Sequence, residues 1–348
     1  MASGAANFSP RPTSLLTLRA ACYTITFMQH QSPAVAPRLL ITGGAGFLGT
    51  NLAAAAVASC EVVLLDNLAR NSLPNVPAAQ RERYRLIEGD VTNPQDLAEA
   101  ARDAHFVVHL AAIAGVHNYY ERPFDVLRVN AGGTLALLQA LTPQPPQRLV
   151  FVSTSEVYGR HAADAKEDDL LQVDHYAEMR WTYAVSKIAA EKACLAWGKQ
   201  FGTEVVCLRP FNIYGPGQTG AGAVRDMILA GLAGRDLILH GDGSQVRAWC
   251  YVDDFTSAVM AALHAPDIEG EVFNIGNPDA AVTVAELAKQ IVAATGNRSR
   301  IRREAHFGTD IPYRTPNVDK ARARLGVAPA TPLSEGLQQT VAWYRDHE

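Results

Sequence analysis

The stretch Arg38–Asp66 constrains the fold more than any other part of the chain. Leu39, Leu40 and Ile41 form a short apolar run between Pro37 and a glycine cluster, Gly43-Gly44-Ala45-Gly46-Phe47-Leu48-Gly49. Thr50 to Ala58 is nearly all alanine and leucine, and a second apolar run, Val62-Val63-Leu64-Leu65, ends at Asp66. The order predicts strand, tight turn, helix and strand. The spacing has a mechanism. Gly43 lets the chain turn sharply off the strand, Gly46 lets backbone approach a pyrophosphate at the helix N-terminus, and Gly49 lets helix and strand pack closely. Asp66 follows at a strand end, where a carboxylate can accept hydrogen bonds from an adenosine ribose. The same carboxylate repels a 2′-phosphate, so the expected cofactor is NAD rather than NADP.

The pattern then repeats. Leu86–Val91 predicts a short strand ending in Asp90-Val91, which either brings Asp90 near an adenine or makes a strand-end turn. Asp96–Arg102 predicts a short helix, and Phe106–Leu110 a strand buried on both faces. Ala111 and Ala112 end that strand with small side chains, leaving room for a cofactor. Val126, Val129, Leu137, Leu138 and Leu141 have helical spacing and predict one long helix, Asp125–Leu141. Leu149–Val152 is the next strand. Alternation of this kind implies an α/β fold of Rossmann type, a doubly wound parallel sheet with ligands at the carboxyl ends of its strands. Ser153-Thr154-Ser155-Glu156 therefore falls where chemistry belongs. A helix over Thr182–Phe201 and a strand over Glu204–Leu208 continue the unit.

Beyond Pro210 the texture changes. Gly215-Pro216-Gly217 and Gly220–Gly222 mark a connection, Ala223–Ala233 a helix, and Gly241-Asp242-Gly243 a turn. Thr283 with Glu286 forms a capping box for the helix Val284–Thr295, and a last helix starts near Pro332. The expected division is a cofactor domain over 37–212 and 248–277, and a smaller, discontinuous α/β substrate domain over 213–247 and 278–348. Residues 1–36 carry Arg11 and Arg19 and no acidic residue. They are expected to be disordered and outside the fold, arising from an upstream start with Met28 as the working initiator, or as a transit peptide.

Composition narrows the function. With 48% hydrophobic and 19% charged residues, the 348-residue chain reads as a soluble globular protein. A net charge of −4 does not suggest a nucleic-acid partner, and no apolar run is long enough to span a membrane. Five cysteines are scattered without a CxxC pair, which argues against metal and disulfides and for a reducing, cytoplasmic location.

Tyr183-x-x-x-Lys187 places both side chains on one helix face, a turn apart. The Lys187 charge can lower the phenol's pKa and Lys187 can bond a nicotinamide ribose, which makes Tyr183 a proton acceptor from an alcohol. With the glycine turn, this chain resembles an extended short-chain dehydrogenase/reductase of the NAD-dependent nucleotide-sugar epimerase/dehydratase family. Further residues carry the resemblance: Asp66-Asn67-Leu68, Leu110-Ala111-Ala112, Ser153–Gly159, Arg209-Pro210-Phe211-Asn212, Tyr214-Gly215-Pro216 and Arg247–Asp254.

The resemblance implies cofactor contacts from Gly43, Gly46, Phe47, Leu48, Asp66, Asn67, Asp90, Val91, Ala111, Ala112, Asn130, Tyr183, Lys187 and Pro210. It implies catalysis by Thr154, Glu156, Tyr183 and Lys187, and substrate contacts from Ser155, Arg180, Asn212, Arg247 and Arg314. It also implies a shared first step, oxidation of the sugar at C4, and a homodimer built from the helices Asp125–Leu141 and Thr182–Phe201. Hexose 4,6-dehydratases carry Thr-Asp-Glu where this chain has Thr154-Ser155-Glu156, so the acid for a leaving hydroxyl is absent. Met179–Tyr183 and Arg314–Val318 resemble UDP-glucuronate decarboxylases, which makes that reaction the expected one. A 4,6-dehydratase, a 4-epimerase and a non-catalytic NAD-binding scaffold stay open, as does the reading of Arg180 as a surface charge.

Overall fold

The computed structural model describes residues 36–175, 177–305 and 308–347, and not the side chain of His161. The N-terminal extension lies outside the described residues. Residues 36–347 fold around a seven-stranded sheet. Its strands, numbered along the chain, are β1 Arg38–Thr42, β2 Glu61–Asp66, β3 Tyr84–Glu88, β4 Phe106–His109, β5 Arg148–Val152, β6 Glu204–Pro210 and β7 Val272–Ile275. They lie in the order β7-β6-β5-β4-β1-β2-β3, and every neighbouring pair is parallel.

Both faces of this sheet are covered, which is why its central strands read as unbroken apolar runs rather than alternating ones. Leu39 and Ile41 point to one face, where they meet Leu52, Ala53, Phe255 and Val259. Those partners belong to helices Phe47–Ala56 and Val252–His264. Leu40 points to the other face and joins Leu137, Leu141, Ala190 and Trp197. A one-residue slip of β1 would exchange the two sets.

Two expected elements differ. The strand predicted over Leu86–Val91 is Tyr84–Glu88, so Asp90 and Val91 lie in the loop beyond it. The long helix predicted over Asp125–Leu141 is a helical run from Pro123 to Leu141, with a π-helical turn at Arg128–Gly132 inside it. That wider turn carries Asn130, whose side chain bonds the Ile113 backbone in both directions: Nδ2 donates to its carbonyl at 3.1 Å, and Oδ1 accepts from its N–H at 2.7 Å. The helix Thr182–Phe201 forms as predicted and stops at Gly202, which is left-handed at φ +75°. Thr283 caps Val284–Thr295 by accepting from the Glu286 N–H at 3.0 Å, while the Glu286 carboxylate faces Lys289.

A smaller, mixed four-stranded sheet has the order Ala281–Thr283, Val246–Ala248, Tyr313–Pro316, His161–Ala165. Arg247 and Arg314 are paired across two of its parallel strands. This sheet therefore brings two cations together from positions 67 residues apart in the chain.

Candidate active site

The sheet order reverses between β1 and β4, so the loops leaving them diverge and open a crevice at their carboxyl ends. A cavity of about 640 Å³ lies there. The glycine turn forms its floor. Gly43 sits at φ +70°, and a Cβ there would stand 2.8 Å from the Ala111 nitrogen. A Cβ on Gly49 would stand 2.4 Å from the Gly43 carbonyl oxygen, closer than any side chain can come. Gly46 is different. A Cβ there would meet only the Gly43 oxygen at 3.4 Å and the Arg70 oxygen at 3.8 Å, and would otherwise fill the cavity itself. A cradle that one methyl group would obstruct, at the N-terminus of helix Phe47–Ala56, fits a dinucleotide diphosphate.

Asp66 fixes this turn as well as facing the cavity. Its carboxylate accepts from the Ala45 N–H at 3.0 Å and the Leu68 N–H at 2.7 Å. Burial raises its pKa, and these bonds pull the other way. Asp90 accepts from Asn67 and from both the N–H and hydroxyl of Thr92. Phe47, Leu48, Asn67, Val91, Ala111, Ala112, Pro210 and Asn212 also line the cavity. Asn130, Arg180, Lys187 and Arg247 lie outside its lining. Asn130 holds Ile113 in place and donates to Ser186 at 3.1 Å.

At the far end stand Thr154, Ser155, Glu156 and Tyr183, all buried. The Tyr183 ring stacks on Tyr119, with 4.9 Å between centroids and 9° between planes. Burial raises the Tyr183 phenol, the nearby Glu156 charge raises it further, and a hydrogen bond from Thr154 and the charge of Arg70 pull it down. Lys187 is buried one turn along the same helix. Its ammonium donates to the Val152 carbonyl at 2.7 Å and lies 4.8 Å from the Phe151 ring centroid. Burial pulls that ammonium down to about 8, against the opposing charge of Glu191.

Glu156 is clamped. Arg180 approaches its carboxylate at 2.8 Å and Arg314 pairs with its other oxygen. Arg180 is not a surface charge, since only 5% of it is exposed. Burial raises the Glu156 carboxyl, but the Arg314 and Arg180 charges outweigh it and hold the group at about 2. The two guanidiniums hold Glu156 in its ionised form. Arg180 Nη1, Arg314 Nε and Arg314 Nη2 are buried without a hydrogen-bond partner, and so is Glu156 Oε2. Arg247 adds a third cation, whose Nη1 donates to the Val246 carbonyl at 2.9 Å. Burial first, then the Arg314 charge, lower its pKa to about 10, against Asp310 and Glu156.

Sequence reasoning missed Tyr119 and Arg70. Tyr119 also stacks under Arg180, with 5.4 Å from its ring centroid to the guanidinium carbon. No periodicity or motif signals either residue: Arg70 lies in the loop just beyond Asp66, and Tyr119 on the short helix Val116–Glu121.

Residues 39–276 match the model of the NAD dependent epimerase/dehydratase family. The chain is 34% identical over 328 residues to the UDP-N-acetyl-alpha-D-glucosaminuronate decarboxylase of Bacillus cytotoxicus, covering 89% of this chain and 98% of that one. It is also 34% identical over 314 residues to UDP-glucuronic acid decarboxylase 1 of Xenopus tropicalis, covering 88% and 72%. In structure it resembles UDP-glucuronic acid 4-epimerase from Bacillus cereus, solved with UDP-glucuronic acid and NAD. The TM-score is 0.81 at 27% identity, covering 89% of this chain and 100% of that one. The fit of the glycine cradle to a diphosphate, the parallel sheet and the length of these matches agree: the chain belongs to the NAD-dependent epimerase/dehydratase family and is an enzyme that works with NAD.

Proposed function

We propose that this enzyme acts on a nucleotide sugar bearing a carboxylate at C5, and that it decarboxylates UDP-glucuronate through a 4-keto intermediate. The observation that carries this reading is the excess of buried positive charge beside Tyr183. Arg180 and Arg314 are buried against one clamped carboxylate, Glu156, and three of their guanidinium nitrogens have no hydrogen-bond partner, while the half-buried Arg247 adds charge beside Arg314 and Asp310. Buried cations of this kind require an anion, and a planar carboxylate matches the guanidinium fork.

NAD, when bound, takes up hydride from the sugar C4 and can return it. Tyr183 receives the proton of the C4 hydroxyl, and Thr154, hydrogen-bonded to Tyr183, orients that hydroxyl. The C5 carboxylate is then a β-keto acid. The electron pair of its bond to C5 moves into the C4 carbonyl, carbon dioxide leaves, and a proton taken from water at C5 gives a 4-keto pentose. Tyr183 and Thr154 stabilise the enolate oxygen by donating hydrogen bonds. The arginines hold the carboxylate until it departs.

Dehydration is disfavoured. It needs an acid for the leaving hydroxyl, and Ser155 stands where that acid would be. Epimerisation at C4 of a uronate would use the same cations and is the second reading. Product mass after incubation with UDP-glucuronate and with a neutral nucleotide hexose separates decarboxylation from dehydration, and chromatography of nucleotide sugar of unchanged mass detects epimerisation.

We also propose that two copies pair through the helical run Pro123–Leu141 and helix Thr182–Phe201, which pack side by side. Phe124 is 74% exposed and Leu135 51%, and Val185 and Phe201 are also exposed. These apolar side chains suit a four-helix contact with a second copy. Light scattering at micromolar concentration is expected to give the mass of a dimer; a monomer contradicts the proposal.

A further inference from the structure

Four arginines line the cavity: Arg70, Arg122, Arg128 and Arg314. Arg122 and Arg128 pair with Asp125, and Arg314 with Glu156. Among the described residues Arg70 pairs with no carboxylate; its guanidinium donates to a backbone oxygen, that of Ala114, at 2.9 Å.

Arg70 is nonetheless held in position. A Cβ on Gly220 would stand 3.1 Å from its Nε and 3.3 Å from its Cζ, so the guanidinium lies against the backbone at a glycine with φ +79°. Its own carbonyl oxygen borders the Gly46 cradle. Its near neighbour Ser72 ties the same loops together. The Ser72 hydroxyl is 2.9 Å from both the Gly217 carbonyl oxygen and the Thr219 hydroxyl, and its N–H donates to the Ala45 carbonyl at 2.7 Å. Arg70 thus stands where the loops after β1, β2 and β4 meet the segment 217–222.

We propose that Arg70 is the cation that binds the cofactor's diphosphate. The glycine turn and the N-terminus of helix Phe47–Ala56 supply N–H groups and a partial positive charge, and no acidic residue in the first turn opposes them. Partial charges do not neutralise a dianion, and a full guanidinium beside the cradle does. Packing against Gly220 and the bond to Ala114 restrict the side chain before the ligand arrives, which lowers the entropy cost of binding. The assignment rests on the use of NAD and not on the sugar reaction proposed above. A nucleotide sugar carries the same diphosphate chemistry, so the test has two arms.

The test compares wild type, Arg70→Gln, Arg70→Lys and Ser72→Ala, freed of bound nucleotide. NADH is titrated by nicotinamide fluorescence and UDP by calorimetry. Arg70→Gln is expected to weaken NADH binding ~10- to 100-fold and Arg70→Lys less. UDP affinity stays within about twofold, and the NADH deficit narrows as salt is raised. Ser72→Ala loosens the loops without removing charge and is expected to have a much smaller effect. NADH affinity within about twofold of wild type in Arg70→Gln overturns the proposal. So does a loss of UDP affinity with NADH retained, which assigns the cation to the substrate, or a Ser72→Ala defect as large as that of Arg70→Gln, which assigns the effect to loop tethering.

Discussion

Tyr183→Phe is expected to leave the fold and NAD retention intact and to lower turnover by at least ~100-fold, the lower end for removing positioned acid–base catalysis. The substitution deletes one oxygen. The ring still stacks on Tyr119, and the backbone of the helix is untouched. What is lost is the proton acceptor for the C4 hydroxyl and the hydrogen bond with Thr154. A net hydrogen bond is worth about 1 kcal/mol, so the stability change is small beside the change in rate. Turnover measured together with circular dichroism and released NAD separates the two effects. Turnover near that of wild type contradicts the role given to Tyr183.

Glu156→Gln is expected to destabilise the protein by ~3–5 kcal/mol, because removing one member of a buried ion pair leaves charge uncompensated. Here two guanidiniums, of Arg180 and Arg314, lose their shared partner at once. The pH dependence has a definite sign. The folded-state pKa of Glu156, about 2, lies below its ordinary value of 4.5. Its stabilisation is therefore present in full above pH 4.5 and is lost as the pH falls toward 2. Urea denaturation should show wild type losing stability through that window while the difference from Glu156→Gln shrinks. The variant should also shift the phenol of Tyr183 downward, since the Glu156 charge raises it. A variant within about 1 kcal/mol of wild type at pH 7 contradicts the clamp.

These two residues mark how far the sequence could be read. Local patterns made the frame legible. The apolar runs and glycine spacing at Arg38–Asp66 define β1, the turn and β2, and Thr182–Phe201 appears with the predicted ends because Gly202 stops it. Tyr183 could be identified because Lys187 lies one turn away on the same helix. The environment of Glu156 could not be read, because its partners come from position 180 and from a strand at 313–316. Arg247 and Arg314 face each other only once the mixed sheet has formed, and nothing in their local sequence encodes that register. The strands His161–Ala165, Leu237–His240 and Ile301–Glu304 also escaped, being short and lacking clear alternation. The π-helical turn at Arg128–Gly132 went unseen because it is set by the bonds of Asn130 to Ile113 and not by side-chain spacing.

The central claim is that the buried arginines hold a sugar carboxylate that leaves as carbon dioxide. It is tested most directly by incubating the purified enzyme with NAD and UDP-glucuronate, in parallel with UDP-glucose and TDP-glucose, and identifying the products by mass. The account predicts that UDP-glucuronate loses carbon dioxide to give UDP-xylose or its 4-keto precursor, while the neutral hexoses are left unchanged. UDP-glucuronate of unchanged mass, together with loss of water from a nucleotide hexose, would contradict the account and make the enzyme a dehydratase.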